Sequence, residues 1–295
     1  MSLAAASPTF SMSQARSLVG DLLTPNPLVY WSDFLASTLA GGGLFWAAVW
    51  IAPATFIYYP IALAAGLLIF RAAMFIHELV HLRPGTFTGF RIAWNLLIGI
   101  PLLIPSFLYY IHLDHHRRKS YGTAADGEYL PLSAGPPSAI VLFVAQALII
   151  PLLPLIRFGI LSPLAWIHPA LRRAIHRHAS SMIIDPTYLR PLPTRRTLWI
   201  IRLQEAGCFL FIVAMFWLFW TGRLPWFVLA QMYAIGLLIG ALNQVRTLGA
   251  HRWTNAGGFE MTFEEQMLDS VNYPRRPILT GLWAPIGLRF HGLHH

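Results

Sequence analysis

His291-Gly292-Leu293-His294-His295 closes this sequence, and its pattern (one histidine, two other residues, two more histidines) has already occurred at His112-Leu113-Asp114-His115-His116. A third cluster, His77-Glu78-Leu79-Val80-His81, sets two histidines four apart. Eight of the 12 histidines lie in these three clusters. Residues at i, i+3 and i+4 share one face of a helix, so each cluster projects its imidazoles as a group. Imidazole suits Fe, Zn, Cu and Ni. Eight such ligands exceed what one tetrahedral zinc takes and fit two metals of higher coordination number. His251, just after the last long apolar stretch, joins the expected ligand set as a ninth.

The rest of the composition sets where such a site would sit. The chain is 56% hydrophobic and 11% charged, with 11 Trp and a mean hydropathy of +0.55. An ordinary soluble domain is about 25% charged, so an integral membrane protein is expected. The net charge of +9 comes from 20 Arg and Lys119 against 12 acids. These cations flank apolar stretches, which argues for a membrane protein's basic margins and against nucleic-acid binding. The single cysteine, Cys208, excludes a disulfide framework and a thiolate metal site. Residues 1–34 lack the order of a signal peptide and read as a cytoplasmic extension, with an aromatic boundary at Tyr30 and Trp31. Residues 35–295 form the main domain.

Six apolar stretches, about 36–57, 59–76, 92–111, 139–161, 207–221 and 225–242, are candidates for membrane spans of roughly 20 residues. The histidines prune them. Clusters that share one site must share one side of the membrane. Only 30 residues separate His81 from His112, too few for two crossings of about 20 residues each plus a turn. The stretch 92–111, with Pro101 and Pro105, is therefore expected to dip and return, which is tolerated where protein covers it. Between His116 and His291 an even number of crossings is needed. Stretches 207–221 and 225–242, joined by a tight turn, supply two. The stretch 139–161, broken by Pro151 and Pro154, is then non-spanning. The expectation is an all-α protein of four spans in two hairpins, with both termini and the histidine-rich cap on one side. Of the 21 basic residues, only Arg223 falls on the far side and only Arg71 within a span, so the positive-inside rule makes the histidine side cytoplasmic. Residues 163–180 read as a basic amphipathic helix on the membrane surface and 181–196 as a loop.

The three clusters resemble the histidine boxes of the membrane fatty acid desaturase and hydroxylase superfamily, over about residues 36–295. The three-residue gap between His77 and His81 is most similar to that of acyl-lipid desaturases. The resemblance implies a non-haem di-iron centre that uses O2 to remove hydrogen from an unactivated carbon, and a separate electron donor of the ferredoxin or cytochrome b5 type. Introduction of a double bond into a lipid-linked fatty acyl chain is the leading expectation; hydroxylation or ketolation of a fatty acid or carotenoid comes second. Acyl-CoA desaturases hold a metal-bound water with an Asn four residues before the extra histidine, where this chain has Thr247. Such chains usually continue past the third box, so a longer natural chain than one stopping at His295 is expected.

Other residues receive narrower readings. Glu78, Asp114 and Thr247 are expected behind the ligands, with a solvated charge as the alternative for Asp114. Trp94, Tyr109, Tyr110 and Trp283 are interfacial aromatics or walls of a substrate site. His168, His176 and His178 are expected on the surface, outside the site. The acidic run Glu260, Glu264, Glu265 and Asp269 reads as a solvated helix face that can pair with Arg275 and Arg276. His77-Glu78-Leu79-Val80-His81 also matches the H-E-x-x-H pattern of zinc proteases, with Glu78 as base, but that reading leaves six clustered histidines unused. A metal transporter would carry ionisable groups at mid-membrane, where these spans are nearly charge-free.

Overall fold

The computed structural model describes Ser17 and residues 24–294, the His294 side chain excepted. Most of the expected extension, and the expected ligand roles of His294 and His295, lie outside the described residues. Regular structure among the described residues is helical apart from two isolated β-bridges. Four helices are long and apolar enough to cross a membrane, so this is an all-α, multi-pass membrane protein.

Helix α1 (Pro27–Ile51) starts ahead of the expected residue 36. The Asn26 side chain accepts from the Leu28 N–H at 2.9 Å, and Pro27 sits where a missing N–H costs nothing. Tyr30 and Trp31 thus lie on the first turn of a span and not at the edge of an extension. Helices α2 (Tyr58–Ala73) and α3 (Phe75–His81) together make the second span, Tyr58–His81. His77 and His81 are its last turn. Close approach needs a small residue: a Cβ on Gly41 of α1 would lie 3.1 Å from the Ile69 backbone nitrogen. Arg71, expected as a lone charge inside a span, donates to both oxygens of Asp33 on α1, at 2.8 and 2.5 Å.

The next segment does not cross. Helix α4 (Thr88–Trp94) runs into a π-turn at Asn95–Gly99, and a 3-10 turn follows at Ser106–Tyr109. Irregular backbone at this depth needs partners inside the protein. Asn95 Oδ1 accepts from the Ser106 N–H at 2.9 Å, and Gln204 Oε1 from the Phe107 N–H at 3.1 Å. Trp94 is not an interfacial wall. It is fully buried, and its indole donates to the Ala72 carbonyl at 2.9 Å. With Phe34, Phe70, Phe75 and Phe90 it forms an aromatic core directly behind the first histidine cluster.

Helix α5 (His112–His115) carries the second cluster. Beyond it, α6 (Pro137–Ala145), α7 (Leu153–Ile156) and α8 (Ser162–Ile167) belong to two arms, Pro137–Leu148 and Leu153–Ile167, bent by 55° and apolar enough together to count as one broken span. Geometry excludes a crossing here. His115 and His251 place their Nε2 atoms 3.1 Å apart, and the two intervening long helices, α10 (Arg195–Trp220) and α11 (Phe227–Ala250), already cross twice. A third crossing would separate the two histidines by the whole bilayer, so the bent pair enters and returns. Between α10 and α11 the turn is tight: Gly222 has φ 69°, and the Arg223 N–H reaches back to the Leu218 carbonyl at 2.9 Å.

Helix α9 (Pro169–His178) is the expected basic amphipathic helix, capped by the His168 side chain, which accepts from the Leu171 N–H at 3.2 Å. His168 and His178 are exposed, but His176 is not on the surface: it is 4% exposed. It turns inward with Ile175, and burial, with Arg190 and Arg157 nearby, lowers its pKa to about 4. The same buried layer holds Arg157, which donates to Glu205 of α10 at 2.5 Å and to Ser162 and Ser180 at 2.6 and 2.9 Å. Arg157 thus ties the returning arm to the third span. Removing one partner leaves a buried charge uncompensated, which costs about 3–5 kcal/mol. Glu205→Ala is therefore expected to lower the thermal unfolding midpoint of the detergent-solubilised chain sharply, whereas alanine at the exposed Glu264 should leave it unchanged.

Candidate metal centre

Four separate segments bring seven described histidines to one end of the spans. Each segment has its own reason for being there. His77 and His81 end the second span. His112, His115 and His116 follow the returning segment as a single helical turn. His251 is the residue at which α11 stops, its backbone already extended. His291 opens α14 (His291–His294) and is delivered by the chain after α12 (Phe263–Asp269) and α13 (Pro277–Trp283). Two short antiparallel bridges stitch that last portion in place, His251 with Ser270 and Asn272 with Phe290.

The imidazoles fall into two groups whose ligand atoms lie within 4.8 Å of one another: His77, His81, His112 and His116, and beside them His115, His251 and His291. In the first, the Nε2 atoms of His112 and His116 are 2.9 Å apart. In the second, His251 Nε2 is 3.1 Å from His115 Nε2 and 3.0 Å from His291 Nε2. The groups adjoin, with ring centroids of His112 and His115 5.6 Å apart. Five of the seven are buried; His81 and His116 are half-exposed and mark the open side.

Behind these rings stand carboxylates. Asp126 Oδ2 lies 2.8 Å from His115 Nδ1, and Glu128 Oε2 lies 2.9 Å from His112 Nδ1. Asp126 is fully buried and also accepts from the Gly122 and Glu128 backbone N–H groups, each at 2.9 Å. It therefore presents an acceptor to His115, whose proton must sit on Nδ1. Burial pushes His112 well below the usual histidine range, helped by repulsion from its neighbours. Burial acts the same way on His115, but Asp126, Glu128 and Asp269 outweigh it and hold this imidazole above its ordinary value. Burial also raises Glu128 to about 8. Tyr109 stacks on His112 at 4.6 Å and 15°. Glu78 lies 3.4 Å from His77 Nδ1 and accepts a 2.6 Å hydrogen bond from Tyr30.

A metal fits this donor set. Cis ligands about 2.1 Å from one ion lie about 3 Å apart, the spacing seen among the Nε2 atoms. In the second group Asp126 takes the His115 Nδ1 proton and Tyr121 lies 2.7 Å from His251 Nδ1. Two ring nitrogens then converge at 3.1 Å, an approach that needs a shared proton or a metal ion between them. A carboxylate holding the far nitrogen of a ligand imidazole is the usual way such rings are oriented.

Several sequence expectations need correction. Asp114 orients no histidine; it pairs with Arg117 at 2.5 Å at the surface. The Thr247 hydroxyl accepts from Arg246 at 3.4 Å. Asp269 is no solvated charge. It is 2% exposed and faces the second group, because Gln266 and Asp269 share the inner face of α12 while Glu264 and Glu265 face out. Glu265 instead caps that helix with Thr262, and Glu260 pairs with Arg118 at 3.1 Å. Tyr109 is a wall of the site; Tyr110 packs between two core clusters, and Trp283 lies edge-on to Tyr273 at 5.0 Å. Sequence reasoning missed Asp126, Glu128 and Tyr121. A signal existed: two of only 12 acids follow the second cluster within a dozen residues. The protease reading fails on geometry, since His112 and His116 close around His77 and His81.

The fatty acid desaturase family profile matches residues 54–295. A ceramide hydroxylase of Caulobacter vibrioides (strain NA1000 / CB15N) is 42% identical over 288 residues, covering 96% of this chain and 80% of that protein. No solved structure matches significantly. If the carboxylates hold the ligand rings, Asp126→Asn and Glu128→Gln should each weaken metal retention on the order of 10–100-fold, read as metal per purified chain. His176→Ala, remote from both groups, should leave that ratio unchanged.

Proposed function

Because the chain belongs to the fatty acid desaturase family, we propose that it is an O2-dependent lipid hydroxylase whose substrate is a ceramide or a similar long-chain amide. The carrying observation is the 42% identity to a ceramide hydroxylase along 96% of the chain. Desaturation of a fatty acyl chain is the second reading, favoured by the spacing of His77 and His81. Both reactions reduce O2 with two electrons and two protons from a donor and two further electrons from the substrate. Hydroxylation leaves one oxygen atom in the product and one as water; desaturation leaves both as water and removes two hydrogens.

Two iron ions, one in each histidine group, would supply the O2 chemistry that side chains lack; His294 and His295 complete the proposed nine-histidine ligand set. The protein's own residues set the surroundings. Asp126 and Glu128 hold His115 and His112 in one orientation. Phe75, Phe90 and Trp94 exclude water from behind His77. Tyr109 closes the floor beside His112. The half-buried His81 and His116 are the least enclosed of the seven described rings. Electrons come from a separate donor protein of the ferredoxin or cytochrome b5 type, which the basic histidine face would attract if acidic. That face and both termini lie in the cytoplasm, on the positive-inside rule.

Lipid analysis of a ceramide-containing host tests the reaction. Expression of the intact chain is expected to yield ceramide with one added oxygen atom, lost with His115→Ala. A product two hydrogens lighter would establish the second reading, and unchanged lipids from an iron-loaded chain would sink both. Sidedness is tested separately. In a Cys208→Ser background, Thr187→Cys should react with an impermeant maleimide only from the cytoplasmic side, and Thr221→Cys only from outside.

A further inference from the structure

Tyr121 is fully buried within the second histidine group, and the reaction chemistry above gives it no part. Its hydroxyl lies 2.7 Å from His251 Nδ1 and 2.7 Å from Asp269 Oδ2. Asp269 is saturated with donors: Oδ2 also accepts from Tyr129 at 3.1 Å, and Oδ1 accepts from the Thr254 N–H at 3.0 Å and the Thr254 hydroxyl at 2.7 Å. A carboxylate in that setting only accepts. Tyr121 must then spend its single proton on Asp269, and its oxygen is left to accept from His251 Nδ1–H. The Ser270 hydroxyl is no substitute. It lies 3.5 Å from His251 Nδ1 and donates to the Gln266 carbonyl at 3.0 Å.

This arrangement differs from its neighbours. His112 and His115 meet carboxylates directly, at 2.9 and 2.8 Å. Asp269 stands 3.7 Å from His251, so the phenol is interposed between ring and charge. The Tyr121 ring also lies against His115 at 5.0 Å, so one side chain borders both imidazoles. The backbone braces the relay: the Arg252 N–H donates to the Asp269 carbonyl at 2.7 Å, and Val271 N–H to Ala250 at 2.9 Å. Displacing Asp269 would therefore displace His251.

We propose that Tyr121 is the positioning residue of His251, holding it through a proton relay anchored on Asp269 so that Nε2 faces His115 and His291. The proposal rests on the reading of this group as a metal site. It makes that metal depend on a single phenol hydroxyl, while the His77, His81, His112 and His116 group does not.

The test is cobalt(II) loading of the purified full-length chain in detergent, following bound metal and the visible absorption bands that report its ligands. Wild type is expected to bind two equivalents, and His251→Ala one. Tyr121→Phe should weaken one of the two sites on the order of 10–100-fold and shift its bands alone. Tyr129→Phe removes a hydrogen bond to the same Asp269 oxygen without one to His251, and should keep both sites. Asp269→Asn, of equal volume, should reproduce the Tyr121→Phe pattern. Metal-free unfolding temperatures separate a positioning role from a structural one: Tyr121→Phe and Tyr129→Phe should melt alike while differing in metal. Equal metal binding by these two variants, with His251→Ala still losing one equivalent, would overturn the relay alone. A wild type that binds a single equivalent, or a His251→Ala chain that keeps two, would overturn the metal reading beneath it.

Discussion

Three imidazole nitrogens, of His115, His251 and His291, meet at 3.1 and 3.0 Å, and the rest of the molecule is constrained by that meeting. His115 and His251 are separated by long apolar stretches that each favour lipid over water. A chain can bring them together only if every excursion into the bilayer between them returns. This is why the arms Pro137–Leu148 and Leu153–Ile167 bend by 55° and do not cross; the same demand between His81 and His112 turns back the segment around Pro101 and Pro105.

Returning segments have a cost that spans do not, because their backbone leaves helical pairing inside an apolar layer. Side chains from neighbouring elements meet it. Asn95 and Gln204 satisfy the turn into Ser106 and Phe107. Arg157 satisfies the Ala179 carbonyl at 2.5 Å as well as Glu205. Polar residues within apolar stretches are thus largely accounted for by the geometry that the histidines impose. The Asp33–Arg71 pair does the same between the first two spans. The rigidity so gained reaches the site itself, since His77 is the end of a span packed on an aromatic core, while His115 and His251 are backed by Asp126 and Tyr121.

Local pattern made much of this legible. The i, i+3 and i+4 spacing of the clusters announced shared faces, and apolar run length announced six candidate spans that the histidine positions cut to four. Counting residues between His81 and His112 was enough to deny a crossing at 92–111, and the parity of crossings between His116 and His291 denied one at 139–161. What failed was reading single residues by type. His176 was expected outside because it shares no helical face with His178, yet the inner face of its amphipathic helix carries it into a buried layer. Asp269 was expected in solvent because it follows other acids, yet it lies three residues from Gln266 on the opposite face from Glu264. Asp114 was read either as backing a ligand or as a solvated charge, and its position on the turn points it at Arg117 at the surface.

The sequence by itself determined the class of protein, the spans, the shared side of the histidine clusters and the kind of chemistry they suit. Those properties follow from run length and short-range spacing, which the chain carries in one dimension. Tertiary structure alone decided how seven described histidines divide into groups of four and three, and which buried groups hold them. Asp126 reaches His115 across 11 residues, and Tyr121 reaches Asp269 across 148. Such partners are chosen by where separate segments come to lie, and no local pattern records that.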